Sequence, residues 1–326
     1  MGYKSTDGLM RHLRNSGIHI SGGKQKRHLI NTGYYHGYKG YRFFKQSSNR
    51  IPFSSFDEIY ATIQYDTKLK ALFYAKIMFI ETAIKNISLN CILDKAGSEN
   101  IQDMFDKVVS SYRNAPAGFT EDLKKKLQSN KLSLQATLQS SLSRAYHNGN
   151  PKIAHFYNNM SYSNVPIWSL FEIMTMGDFG FLLSCLTYDV RDFISHEIGL
   201  NLSSDTNREL IYKYIYTLKD LRNAIAHNDV IFDTRFRKMD PSRSMKQCLI
   251  HEIGLPYVNF KTIGDYVILL CYFLKMLEVS KTEIKAFIRE FEKITADYQI
   301  TVDSSVASIV IHPDLSSRLN ILKNYI

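Results

Sequence analysis

The 326-residue chain predicts an all-α fold. Apolar residues recur at three- and four-residue spacings over long stretches, while alternating or β-branched runs bounded by turn residues are scarce. A hydrophobic fraction of 44% is ordinary for a chain with a buried core, so disorder is not the default.

Taken in order, the elements begin with the start MGYKSTDGLMRHLRNSG, which has no apolar run of signal-peptide length. Residues 1–50 form a basic, aromatic-rich segment, expected as a helical extension of a main domain over 51–300. A tail covers 301–326. From Ser54, the positions Leu69, Leu72, Phe73, Ile77, Ile80, Ile84 and Ile87 keep helical spacing. Asp66 reads as the N-cap separating a short helix from a long one. Two polar helices are expected near 101–113 and 119–129, then a Ser/Gln/Leu-rich helix over about 131–147. His147-Asn148-Gly149-Asn150-Pro151 is a turn. The chain turns helical again after Pro166, with Gly177 and Gly180 marking a break. Ser204 or Asp205 caps a helix running to about His227. Residues 229–261 read as irregular and basic. Two long helices follow over about 262–278 and 280–297, and Ser305 to Ile311 reads as a short strand. There is no internal repeat and no low-complexity tract.

Composition narrows the class. The four cysteines (Cys91, Cys185, Cys248, Cys271) lie far apart and form no C-x-x-C pair, which argues against zinc and a disulfide scaffold and fits a reducing compartment. The most apolar stretches, Ala71 to Ile84 and Tyr266 to Val279, are each interrupted by a lysine and too short for a bilayer. They read as core helices of a cytoplasmic protein with no membrane partner. The net charge of +10 suits an anionic partner. Residues 1–50 hold Lys4, Arg11, Arg14, Lys24, Lys26, Arg27, Lys39, Arg42, Lys45 and Arg50 against one acid, Asp7.

Chemistry concentrates in Leu221-Arg222-Asn223-Ala224-Ile225-Ala226-His227. Leu210, Tyr214, Ile215, Leu218, Leu221 and Ile225 give this helix an apolar face, while Asp220, Asn223 and His227 share a polar one. Arg222 lies at the edge of that polar face, with Asn223 placed to orient the ring or hold the arginine. RNA carries its own nucleophile, the 2′-OH. Cleavage then needs a base, an acid, and positive charge for the crowded phosphorane. Histidine can serve as base or acid, and arginine offers a fixed cation with forked donors. Such a site needs no metal and no cofactor, and its products are a 2′,3′-cyclic phosphate and a 5′-hydroxyl. One motif supplies one histidine; two copies across a two-fold axis supply a base and an acid, so a homodimer is expected. Arg-x4-His also occurs at Arg14…His19 and Arg191…His196. The first contains the helix stop Ser16-Gly17; the second is helical and could supply a second histidine within one chain. The alternative for the motif is a helix-terminal histidine beside an arginine that is either solvated or ion-paired with an acid on another helix.

Four segments in order make the chain resemble the Abi family of bacterial abortive-infection proteins, the AbiD/AbiF-like group of the HEPN superfamily. They are GIHISGGKQKRHLINTGYYHGYKGYRFFK, similar to a family region with a Tyr-rich Y-x-L-x-G-Y-R element; FDEIYATIQYDTKLKALFYAKIMFIETAIKN, with Lys70 and Lys85 where arginine is common; Val165-Pro166-Ile167-Trp168-Ser169-Leu170-Phe171-Glu172 with Gly177; and LKDLRNAIAHNDVIFDTRFR, similar to L-R-N-x-x-A-H. The likeness covers roughly residues 10–240. It implies an HEPN-like helical bundle and an anti-phage or toxin-type ribonuclease in which Arg222, Asn223 and His227 form the catalytic set. It also selects that motif over the other two. The arginine often found after the histidine is missing, and Arg235 or Arg237 is the expected substitute. A small structured non-coding RNA or a protein antidote is the further partner the resemblance implies.

For RNA binding the candidates are Lys24, Lys26, Arg27, Lys39, Arg42 and Lys45, interleaved with Tyr34, Tyr35, Tyr38, Tyr41, Phe43 and Phe44, and also Arg235 and Arg237 after the motif. The alternative is that Tyr41, Phe43 and Phe44 pack inside while the cations are solvated. Trp168 is expected in the core, and Glu81 is expected to bond within the core or to the motif arginine. The rival functional readings are a non-catalytic RNA-binding or interaction protein, and a DNA- or membrane-associated defence protein. No Walker A, G-x-G-x-x-G, H-E-x-x-H or Ser/His/Asp pattern is present.

Overall fold

A computed structural model describes residues 5–159 and 164–326. Its secondary structure is helical, with fifteen α-helices and no β-sheet among the described residues. They are α1 (Thr6–Asn15), α2 (Gly22–Thr32), α3 (Phe56–Ala96), α4 (Ile101–Lys107), α5 (Glu121–His147), α6 (Pro151–Asn158), α7 (Ile167–Ile173), α8 (Met176–Cys185), α9 (Tyr188–Ile198), α10 (Leu210–Ala226), α11 (Arg243–Ile253), α12 (Ile263–Met276), α13 (Lys281–Thr301), α14 (Ser304–Val310) and α15 (Leu315–Tyr325). A π-helical turn, Gly33–Lys39, follows α2.

The helices divide into two units that do not follow chain order. Unit 1 comprises Met1–Ile77, Asp220–Pro241 and Leu249–Ile326, so 1–50 and 301–326 share a unit. Unit 2 comprises Met78–Lys219 and Ser242–Cys248.

Unit 1 is built on α12, in which every residue from Ile263 to Leu274 is buried. Phe73 meets Phe287 and Phe291 at ring distances of 6.0 and 6.2 Å, and Tyr65 stacks on Tyr298 at 4.6 Å. Arg318, 1% exposed, pairs with the buried Asp265. The start of α3 is a capping box: the Ser55 hydroxyl accepts from the Glu58 amide at 3.3 Å, and the Glu58 carboxylate accepts from the Ser55 amide at 3.2 Å. Glu58 also accepts from Ser54 N at 2.8 Å and Asp303 N at 3.0 Å. Burial opposes its charge, yet these amides and the Ser54 hydroxyl outweigh burial and hold the carboxyl below the usual glutamate range. A depressed carboxyl contributes stability above its unfolded value, which is lost as pH falls through the folded one. The thermal stability of the wild type should therefore fall as pH drops below about 4.3, and Glu58→Gln should flatten that fall. An unchanged slope in the variant counts against this role.

Unit 2 packs α5 against α6, α7 and α8. Gly180 lies inside α8 and is a packing glycine rather than a break: an added Cβ would stand 3.0 Å from the Tyr216 ring. The break falls at Met174-Thr175, where Thr175 caps α8. Lys85 pairs with Glu81 at 3.0 Å and donates to the Met174 carbonyl at 2.8 Å, closing the end of α7.

Other expectations are corrected. Trp168 is 40% exposed, with its Nε1–H on Glu99 at 3.1 Å and its ring against Phe156. Asp66 is no cap; α3 runs unbroken through it. One helix, α5, replaces the two expected over 119–147, because no residue there breaks it. Ser305 to Ile311 is not a strand: Asp303 caps Ser305 N at 2.8 Å, and Val306, Ala307 and Val310 bury one helical face of α14. The region 229–261 contains α11, whose Met245, Cys248 and Leu249 are buried at helical spacing. Asp205 caps α10 by accepting from Glu209 N and Leu210 N at 2.8 and 3.0 Å, while the Ser204 side chain lies outside the described residues.

Candidate active site

Helix α10 buries Leu210, Ile211, Tyr214, Ile215, Leu218 and Leu221 completely, as its apolar spacing requires. The polar edge remains open: Arg222 and Asn223 are half-buried and His227 is exposed. The Arg222 Nη1–H donates to Asn223 Oδ1 at 3.3 Å, so Asn223 holds the arginine. The His227 imidazole makes no hydrogen bond, ion pair or ring contact with a described residue, Arg222 included.

The helix ends in a Schellman motif. Asn228 N donates to Ile225 O at 3.1 Å and Asp229 N to Ala224 O at 2.8 Å, with Asn228 in the left-handed region at φ 56°. His227 is therefore the C-cap, displayed at the point where the chain reverses. Asparagine tolerates this conformation better than most residues.

Asn228 also joins a polar chain that the sequence did not disclose. Asp66, fully buried, pairs with Lys70 at 2.8 Å. Lys70 donates to Asn228 Oδ1 at 2.9 Å, and Asn228 Nδ2 lies 3.1 Å from His36 Nε2. The same carboxylate accepts from Tyr41 Oη at 2.7 Å, Ile231 N at 2.9 Å and Phe232 N at 2.7 Å. Burial first, then the adjacent Asp66 charge, pushes the Tyr41 phenol far above its usual range, so it stays a donor. The segment after the motif is thus fastened to α3 and to the N-terminal region.

A second brace lies beside the first. Asp233, fully buried, takes the Arg235 guanidinium on both oxygens and accepts from Lys45 N at 2.6 Å. Arg235 also donates to the carbonyls of Gly40 at 2.7 Å and Phe43 at 2.6 Å and lies over the Phe43 ring. Thr234 between them sits at φ 61°, strained for a β-branched residue.

The RNA-binding candidates separate by their partners. Lys24 and Arg27 are exposed, and Lys24 lines a cavity of about 310 Å3 with His28 and Lys68. Lys39 Nζ lies 4.6 Å from the centre of the Tyr35 ring and 5.4 Å from that of Tyr34, and Tyr35 is 74% exposed. Arg42 is half-buried. Lys26 pairs with Asp7 at 2.7 Å. Lys45 donates to Lys261 O at 2.5 Å, and burial lowers its ammonium below the usual lysine range. Arg237 donates to Asn259 O at 3.1 Å and pairs with Asp240. Arg235 and Arg237 are thus directed into the protein. Tyr41 is buried, while Phe43 and Phe44 are half-buried.

The other two Arg-x4-His matches differ from the third. Arg14 lies in the last turn of α1, and Gly17 at φ 84° takes His19 off that helix. Arg191 donates to the carbonyls of Leu186 at 2.8 Å, Ser184 at 3.4 Å and Asn207 at 3.4 Å, a brace within unit 2. No group of three or more His, Cys, Asp or Glu side chains placed to hold a metal occurs among the described residues, and no described helix is long and apolar enough to cross a membrane.

These features define an all-helical protein with an arginine and a histidine at the open end of one helix. A family model described as Abi-like protein matches residues 27–233, more than half of the chain, and the chain belongs to that family. The matched span includes His36, Asp66, Lys70 and the motif. No curated protein and no solved structure matches the chain.

Proposed function

We propose that this chain is an HEPN-type endoribonuclease of bacterial abortive infection, acting in the cytoplasm as a two-fold homodimer and kept silent by an RNA or protein antidote. The observation that carries this reading is the exposed, unengaged His227 imidazole at the end of the helix that presents Arg222. An imidazole without a partner can exchange a proton with the 2′-OH or the leaving 5′-oxygen. The Arg222 guanidinium, steadied by Asn223, offers charge to the phosphorane oxygens. Two such helix ends in a dimer supply the base and the acid. Lys24, Arg27, Lys39 and Arg42, with Tyr34 and Tyr35, form the RNA-binding surface, where stacking contributes about 1–3 kcal/mol per base. A non-catalytic RNA-binding role is the second reading, favoured by the exposed Tyr35 ring with the Lys39 ammonium 4.6 Å from its centre.

The test uses the purified chain and end-labelled RNA in chelator. Cleavage should persist and leave fragments with 2′,3′-cyclic phosphate and 5′-hydroxyl ends. Fragments with 5′-phosphate ends would refute 2′-OH attack, and RNA binding without cleavage would favour the second reading.

A further inference from the structure

The π-helical turn carries a histidine to the motif. Gly33–Lys39 is wound with the wider π pitch, a local device frequent at functional sites. The turn needs glycine at position 37, where a Cβ would stand 2.9 Å from Thr32 Oγ1 and 3.1 Å from its carbonyl oxygen. It leaves His36 exposed, bonded through Nε2 to the residue that follows His227.

The hydrogen-bond roles in this contact follow from Lys70. Lys70 is an ammonium paired with buried Asp66, and it can only donate. The atom of Asn228 facing it is therefore the amide oxygen, which turns the amide nitrogen toward His36. That nitrogen can only donate, so His36 Nε2 accepts and the ring hydrogen sits on Nδ1. Nδ1 has no partner among the described residues. In this contact His36 accepts through Nε2, which leaves Nδ1 as the N–H donor that the ring displays at the end of α10.

We propose that His36 is a further substrate-binding residue whose Nδ1–H donates to a phosphate oxygen of the RNA at the His227 helix end, with Asp66, Lys70 and Asn228 as positioning residues that fix its tautomer. This rests on the nuclease reading above. A fixed donor aimed at developing charge needs no proton transfer of its own. His36 therefore differs in role from His227, and each copy of the chain contributes both.

The test is nuclear magnetic resonance of the full chain with 15N-labelled histidine, titrated with a 2′-O-methyl oligoribonucleotide that cannot be cut. The free protein should show His36 protonated on Nδ1 only, and the oligonucleotide should shift both that N–H and the His227 ring. A shift at His227 with none at His36 overturns this inference and leaves the nuclease reading intact; no shift at either removes both. In cleavage assays His36→Ala should lower kcat about 10²-fold without changing the shape of the pH profile. His36→Asn, whose amide nitrogen stands where Nδ1 stood, should recover at least about a tenth of wild-type kcat. Equal losses in the two variants, or the disappearance of one limb of the pH profile, would overturn the donor role.

Discussion

Replacing Asp66 with alanine should destabilise unit 1 by about 3–5 kcal/mol, measured by urea or thermal unfolding. The carboxylate is fully buried and accepts from the Tyr41 hydroxyl, the Ile231 and Phe232 amides and the Lys70 ammonium. Its removal leaves three neutral donors unsatisfied and, more costly, an ammonium that is 8% exposed with no counter-charge. Asp66→Asn keeps the shape and loses the charge, so it should retain part of the amide contacts yet still strand Lys70. The double variant Asp66→Asn/Lys70→Met should recover part of the loss, because an uncompensated buried charge costs more than an absent pair. Tyr41→Phe removes one neutral donor and should cost only about 1 kcal/mol. If Asp66→Ala unfolds within about 0.5 kcal/mol of wild type, the carboxylate does not organise this region.

Asp66 also marks where the sequence stops being legible. An aspartate inside an apolar helical run has two physical explanations, a cap or a buried acceptor. Both draw on the same lone pairs, and spacing along α3 cannot separate them. The deciding partners lie far away in the chain, at Tyr41, Ile231 and Phe232. The helices themselves were readable, because Leu69, Phe73, Ile77, Ile80 and Ile84 repeat at the spacing that buries one face, and all are buried. Local signals failed where β-branched residues outvoted position. Val306, Ile309, Val310 and Ile311 suggest a strand, but the Asp303 cap and the burial of Val306, Ala307 and Val310 make a helical turn. Arg235 and Arg237 read as a phosphate-binding pair in the sequence; in the fold each also meets an acid and main chain, Arg235 the carbonyls of Gly40 and Phe43 and Arg237 that of Asn259, partners that no local pattern announces. Within the motif, the helix, its apolar face and its polar edge follow from spacing alone. The contribution of His36 does not, since nothing local ties residue 36 to residue 228. One signal was available, however: asparagine directly after His227 is a residue that accepts a left-handed C′ position.

His227→Ala should abolish RNA cleavage, lowering kcat by about 10³-fold while leaving stability within about 0.5 kcal/mol, because the exposed ring has no contact to lose. Arg222→Lys should lose nearly as much as Arg222→Ala, because an ammonium keeps the charge but not the fork, whose donors exceed the one spent on Asn223 and match phosphate oxygens in pairs. The same inactive chain also tests the assembly. In a two-fold dimer whose cleft takes its base from one copy and its acid from the other, one inactive chain silences the whole cleft. An equimolar mixture of wild type and His227→Ala, held at the total chain concentration of the wild-type control and allowed to exchange subunits, should therefore leave about a quarter of the activity, the share of dimers with two intact chains. Chains that act singly would leave about half. Titrating the inactive chain across a range of ratios separates a squared from a linear dependence, without any need to trap the dimer. A linear dependence would remove the second copy from the chemistry, and the acid would then have to come from a group within the same chain.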